Sequence, residues 1–216
     1  VAMHSRIANS SAGPIHVVGA GGLGREALDA LFALRMKPDD LVLVDDYLCD
    51  GEVHGVRVLR PQDVSRGRFV VAVADPSVRR RLAERLQHRG LTATSIVHPR
   101  ATVAHDAILG SGCIVLANAF VSCGTRLGPH SQVQYNATIG HDSVLQECVT
   151  VLPGANIAGN VSLLQDVTVG SNACVLQGLR VGARTFVGAG AVVTKDQPGD
   201  RVLVGVPARS HQASVV

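Results

Sequence analysis

Tryptophan is absent from the 216 residues, and aromatic side chains make up only 3% of them. Rings usually fill much of a core this large, so the interior must be built from other groups. Net charge is scarce as well: 20 Lys and Arg stand against 17 Asp and Glu, a formal +3, and the longest basic run is Arg79-Arg80-Arg81. Such a balance excludes a polybasic nucleic-acid surface. The five cysteines, Cys49, Cys113, Cys123, Cys148 and Cys174, are odd in number and form no Cys-x-x-Cys pair. Neither a disulfide framework nor a zinc knuckle is indicated, and the cytoplasm is the expected compartment. Residues 1–14 lack the apolar stretch of a secretory signal and read as a disordered tail.

What is present is aliphatic and periodic. Sixteen residues at intervals of six, from Val103 through Val133, Ile139, Val151 and Ile157 to Val193, are all Val, Leu or Ile. Two residues before each stands a mostly small side chain, such as Ala101, Cys113, Ala119, Ser131, Ala137 or Ala155. A register that never breaks is a structural repeat. Gly follows the aliphatic at Gly110, Gly128, Gly140, Gly170, Gly182 and Gly188, where unusual backbone angles are expected. The pattern predicts a hexapeptide β-solenoid with three short flat sides, five coils long over 103–192.

The first hundred residues have a different rhythm. A strand over Ile15–Val18 runs into Gly19-Ala20-Gly21-Gly22-Leu23-Gly24, and Arg25 to Arg35 carries a helical apolar stripe. Further strands are predicted at 41–44, ending in Asp45-Asp46, and at 69–74, ending in Asp75-Pro76, before a helix over 77–89. Residues 92–97 form a last strand or connector, and His98-Pro99 a hinge, because the residue before proline is held extended. The expected division is therefore a tail (1–14), a small Rossmann-like parallel α/β domain (15–98), a prism (99–209) and a tail (210–216).

Gly19, Gly21 and Gly24, between a strand and a helix and with Asp45 further on, satisfy a dinucleotide fingerprint. Backbone N–H groups there can approach a diphosphate, and the carboxylate can accept from ribose. The plainer alternative is that these glycines only permit a tight turn. Fewer than a hundred residues precede the prism, enough for one mononucleotide half, which favours a nucleoside-diphosphate sugar over NAD.

The most specific stretches are Gly19 to Glu26, Asp45-Asp46, Asn136-Ala-Thr-Ile-Gly-His141-Asp142, Pro153-Gly-Ala-Asn-Ile-Ala-Gly-Asn160 and Val204-Gly-Val-Pro-Ala-Arg209. Together they resemble the bacterial sugar acyltransferases of the left-handed parallel β-helix class, which includes sialic-acid O-acetyltransferase-like proteins and nucleotide-aminosugar N-acetyltransferases. The resemblance implies a homotrimer of parallel prisms, acetyl-CoA in the groove between two of them, and a nucleotide sugar on the N-terminal domain. It favours a GDP-linked 4-amino-4,6-dideoxysugar, acetylated for surface-polysaccharide synthesis. Acetyl-CoA is the only cofactor implied, with no metal.

Acetylating an amine requires a general base near neutral pKa and a donor for the developing oxyanion. Of nine histidines, His4, His16, His54, His88 and His211 lie outside the motifs, and His98 is explained by its hinge. His105, His130 and His141 fall at prism turns. His105, Cys123 and His141 share one corner on successive coils, and two coils separate the imidazoles by roughly 10 Å, too far for one metal ion. The resemblance selects His141 as base, with Asp142 orienting it. It further implies sugar-nucleotide contacts from Gly21, Gly22, Leu23, Asp45, Asp46, Ala74 and Asn136. For acetyl-CoA it implies contacts from Thr150, Gly159, Ser171 and Ala189, although Thr150 replaces a histidine found in some relatives. For Asn136 a stacked asparagine ladder is the alternative, and for Gly159 a mere turn. Cys123, next to His141 in the column, offers a rival acetyl-cysteine route. Arg180, Arg184, Lys195, Arg201 and Arg209 suit either the CoA phosphates or a solvated face. The alternatives are a UDP-linked aminosugar, O-acetylation of a sialic-acid-like sugar, a non-catalytic nucleotide-binding trimer, and an NAD-dependent oxidoreductase.

Overall fold

A computed structural model describes residues 13–48 and 51–211. Most of the expected 1–14 tail, most of the 210–216 tail, and Cys49 lie outside the described residues. The N-terminal unit is a six-stranded sheet in the order β3-β4-β2-β1-β5-β6, with β1 Ile15–Val18, β2 Leu41–Val44, β3 Glu52–Val53, β4 Val56–Leu59, β5 Arg68–Val71 and β6 Thr92–Ala93. All neighbours are parallel except the edge pair β3–β4, which is antiparallel. The expected parallel sheet thus gains a hairpin that short, weakly alternating residues 52–59 did not announce.

Helix α1 (Gly22–Ala33) joins β1 to β2, and α2 (Pro76–His88) joins β5 to β6. The α1 face buries Ala27, Leu28 and Leu31 against Val17, Leu43 and Val70, and extends to Ile96, Ile114 and Leu116 of the prism. On the other face Val18, Val42, Phe69 and Val71 receive Ala83 and Leu86 of α2. Sheet order reverses between β1 and β5, so the carboxyl ends of these strands open the crevice where such sheets bind ligands.

From Ile96 to Val193 every strand is two residues long and pairs with a strand 18 residues away, as in Phe120↔Thr138 and Val144↔Ser162. The first side carries rungs from Ile96–Val97 through Gln132–Val133 and Thr150–Val151 to Val202–Val204. The second runs from Thr102–Val103 to Val192–Val193, and the third from Ile108–Leu109 to Arg180–Val181. The six-residue aliphatics point inward: Val115, Val121, Val133, Ile139, Val151 and Leu163 are fully buried. Aliphatic ladders therefore replace the missing rings. The prism begins at Ile96–Val97, so residues 92–97 are divided between the sheet and the first rung.

One expectation is corrected. The glycines after the aliphatics do not carry positive φ; that conformation falls two residues later, at Asn118, His130, Asn136, Asp142, Asn160 and Asn172, all with φ between 56 and 58°. Gly140 and its counterparts are small because the next coil passes too close: a Cβ on Gly140 would lie 2.5 Å from the Ala158 carbonyl carbon. The left-handed position is occupied mostly by Asn, Asp and Gly, the residues that tolerate it.

Candidate active site

His141 and Asp142 turn the corner between the second and third sides. The imidazole Nδ1 lies 2.8 Å from Asp142 Oδ2, and about half of each side chain is exposed. An ionised carboxylate can only accept, so Nδ1 donates, and the neutral ring holds its lone pair on Nε2. The His141 ring lies flat over the next coil, where Gly159 leaves room: a Cβ there would sit 2.5 Å from Nε2. Gly159 N–H donates to no group among the described residues, which leaves it for a carbonyl oxygen. His105 and Cys123 stand in the same column on preceding coils, as the ladder register requires. Cys123 is exposed, with its sulfur 3.9 Å from Ser122 Oγ.

Other expected residues lie elsewhere. Asn136, Ser171 and Ala189 occupy the preceding corner, between the first and second sides, and Asn136 Oδ1 accepts from Asn118 Nδ2 at 3.1 Å. A stacked asparagine pair is therefore present at that corner. Thr150 lies on the first side, fully buried, its hydroxyl accepting from Arg79 Nη2 at 2.8 Å and near Ala74 O at 3.3 Å. This commitment removes Thr150 from any exposed acetyl-CoA groove: its side chain belongs to the seam between the two units. His130, at the third corner, is also buried there, stacked on Phe69 with ring centroids 6.1 Å apart. Burial lowers its pKa, so it stays neutral.

The seam contains residues that the sequence did not single out. Arg79 is fully buried; its Nη1 donates to the carbonyls of Val73 (2.8 Å) and Ala74 (3.0 Å), and its Nη2 to Cys148 O (2.6 Å) as well as Thr150. Gln132 Nε2 donates to Val71 O (3.0 Å) and Val73 O (3.2 Å). Arg80 pairs with Glu147 and with Asp166. The end of β5 is thus pinned to the first side of the prism. The only advance sign was polar Gln132 and Thr150 at outward positions where Ile96 and Ile114 are apolar.

At the crevice, α1 starts three residues earlier than expected, inside the glycine turn, with Gly21 as an N-cap that makes no side-chain bond. Gly24 packs against the turn so closely that a Cβ would meet Gly19 O at 1.9 Å, whereas Gly21 and Gly22 face open space. Leu23 is half-buried beside them. Asp45 accepts from Ala20 N (2.9 Å), Tyr47 N (2.8 Å) and Leu48 N (3.1 Å). Burial pushes the Asp45 carboxyl upward, but these three N–H groups outweigh it and hold the pKa below the usual range. Asp45 therefore clamps the glycine turn to the loop after β2, a structural duty beside any contact with ribose. Asp46 and Ala74 are exposed at the same edge. Among the described residues no group of three or more His, Cys, Asp or Glu is placed to hold a metal ion, and no helix is long and apolar enough to cross a membrane. Burial pushes the Cys113 thiol to about 12 and raises that of Cys148, so neither is a nucleophile.

The arrangement has close counterparts. The family described as "PglD N-terminal domain" matches residues 14–86. GDP-perosamine N-acetyltransferase of Escherichia coli O157:H7 is 31% identical over 199 residues, covering 88% of this chain and 81% of the relative. The chain belongs to that enzyme's family. Among solved members, the acetyltransferase domain of PglB from Neisseria gonorrhoeae, in complex with acetyl coenzyme A, superposes with a TM-score of 0.87 at 32% identity, covering 92% of this chain and 98% of the other. PerB from Caulobacter crescentus, in complex with CoA and GDP-perosamine, gives 0.85 at 28%, covering 93% and 98%. Within this N-acetyltransferase family the chain is a β-helix preceded by an α/β unit, the fold expected from its hexads and glycine turn.

Proposed function

We propose that the protein transfers the acetyl group of acetyl-CoA to the 4-amino group of a GDP-linked 4-amino-4,6-dideoxysugar, with perosamine favoured. The support is the family membership together with one geometric observation. His141, its Nδ1 held by Asp142, turns Nε2 to an exposed corner, while the nucleotide crevice of the same chain lies against the first side, which that corner faces across the prism. A chain that cannot bring its own sugar to its own His141 requires a neighbour. Ile108, Phe120 and Val144 lie at 51, 46 and 38% exposure on the second and third sides of the single chain, apolar area suited to packing a further prism. The homotrimer with shared sites, acting in the cytoplasm where acetyl-CoA is made, is part of this reading. Residues 15–98 would hold the nucleotide sugar and 99–209 the acyl donor.

The diphosphate is placed at the uncapped start of α1, against Gly21, Gly22 and Leu23, where free N–H groups and the helix dipole favour an anion. Asp46 and Ala74 border it, and Asp45 holds the turn in shape. Acetyl-CoA is placed beside Gly159, with Ser171 and Ala189 offered by the adjoining chain's corner together with Asn136. The sugar amine attacks the thioester carbonyl; its proton passes to His141 Nε2 as the C–N bond forms, and Gly159 N–H stabilises the oxyanion. When the C–S bond breaks, the CoA thiolate takes up that proton. Asp142 holds the ring with Nε2 outward throughout.

Replacing His141 with Ala is expected to lower kcat by about 10² to 10⁴ fold, the contribution of a general base, with the fold intact by circular dichroism. Thiol release with GDP-, UDP- and dTDP-linked 4-amino sugars and their hydroxy counterparts tests the acceptor. The GDP-linked amine should turn over fastest; preference for a hydroxyl acceptor, or unchanged turnover without His141, contradicts the reading. A Cys123→Ser enzyme of full activity would remove the acetyl-cysteine route.

A further inference from the structure

Position 142 and position 124 occupy the same place in the corner on successive coils, 18 residues apart. Gly124 has φ +67°, and its N–H donates to Asp106 Oδ2 at 3.1 Å, which fixes the peptide from the coil before. A Cβ built there would fall 2.3 Å from Asp142 Oδ1, inside any contact distance. Asp142 itself has φ 58° and donates its N–H to Cys123 O at 2.9 Å, so its backbone is held and only the carboxylate can yield. The other carboxylate oxygen is the one that meets His141 Nδ1. Space at residue 124 therefore governs the rotamer that lets Asp142 reach the imidazole.

We propose that Gly124 is a positioning residue, whose missing side chain seats the Asp142 carboxylate and through it aims His141. The proposal rests on the reading of His141 as the base. The molecule supplies its own control: Gly178 occupies the same corner position further along the column, with φ +75°, but a Cβ there meets nothing within 4 Å. Alanine imposes the same backbone strain at both positions. It disturbs the carboxylate only at 124.

The experiment measures kcat, both KM values and melting temperature for Gly124→Ala, Gly178→Ala, Asp142→Ala and the Gly124→Ala/Asp142→Ala pair. Similar losses of melting temperature are expected for the two glycine variants. Only Gly124→Ala should lose kcat, by about 10² fold if the ring moves by ~1 Å, with both KM values within about twofold of wild type, and it should add nothing further to Asp142→Ala. Equal kcat in the two glycine variants, or an undiminished effect of Gly124→Ala without the Asp142 carboxylate, overturns the proposal. If Gly124→Ala does not fold, Gly124→Asn serves, since the corners accept Asn at this conformation at Asn118, Asn136, Asn160 and Asn172. The same kcat loss supports the proposal, and wild-type kcat refutes it. His141→Ala assayed in parallel separates the two levels: if it keeps full turnover, the base assignment fails irrespective of Gly124.

Discussion

At the scale of single residues, the distribution of hydrogen bonds decides which side chains remain available for chemistry. Asp45 is a case in which an expected ligand contact is also a structural clamp, and its depressed pKa makes this measurable. A carboxyl whose folded pKa lies below its unfolded value of 3.8 contributes stability that is fully present above about pH 4 to 5 and disappears as pH falls through the lower folded value. Asp45→Asn should therefore melt below wild type at pH 7, and the gap should close as pH falls below about 4. A gap independent of pH would mean that the carboxylate bonds to Ala20, Tyr47 and Leu48 do not stabilise the fold. His141 could be proposed as the base from the sequence because the stretch that carries the resemblance, Asn136 to Asp142, is local, seven residues of one strand and its corners. The ring lying over Gly159 was not legible, since that contact depends on how two coils stack.

Among elements, the seam between sheet and prism carries the largest departure from the sequence reading. In the sequence Arg79-Arg80-Arg81 is only the longest basic run, yet Arg79 is fully buried and Arg80 is paired across the seam. No local pattern reveals this, because Cys148 and Thr150 lie 69 and 71 residues from Arg79, and Glu147 and Asp166 lie 67 and 86 from Arg80; they become neighbours only through the 18-residue coil. The burial of Thr150 was hidden for the same reason: its face of the prism is covered by the α/β unit. Replacing Arg79 with Leu leaves the Cys148 carbonyl without a donor, at about 1–3 kcal/mol for a buried orphan, and leaves Val73 O with Gln132 and Ala74 O with the Thr150 hydroxyl alone. The urea midpoint should fall accordingly. Because Val73 and Ala74 follow β5 at the crevice, KM for the nucleotide sugar should rise while that for acetyl-CoA holds. An unchanged midpoint would show that the strap contributes nothing to stability.

For the whole molecule, the hexad register made the coils from Val103 to Val193 legible, though not the rungs at Ile96–Val97 and Val202–Val204, and the glycine turn announced the α/β unit in front of them. How the two units sit was not legible, and that arrangement controls function: the first side is covered by the chain's own α/β unit, and His141 stands at the opposite corner. The central claim is that each site combines the crevice of one chain with the His141 of another. Gly22→Asp provides a mutation confined to the crevice, since residue 22 faces open space and a carboxylate at a helix start is tolerated but repels a diphosphate. It is expected to abolish nucleotide-sugar turnover without loss of melting temperature, as His141→Ala does by removing the base. The most direct test is to co-express the two inactive chains with different tags, isolate oligomers containing both, and assay thiol release. Activity restored in the mixed oligomers, and absent from either parent, is the predicted result; mixed oligomers as inactive as their parents would contradict a site shared between chains.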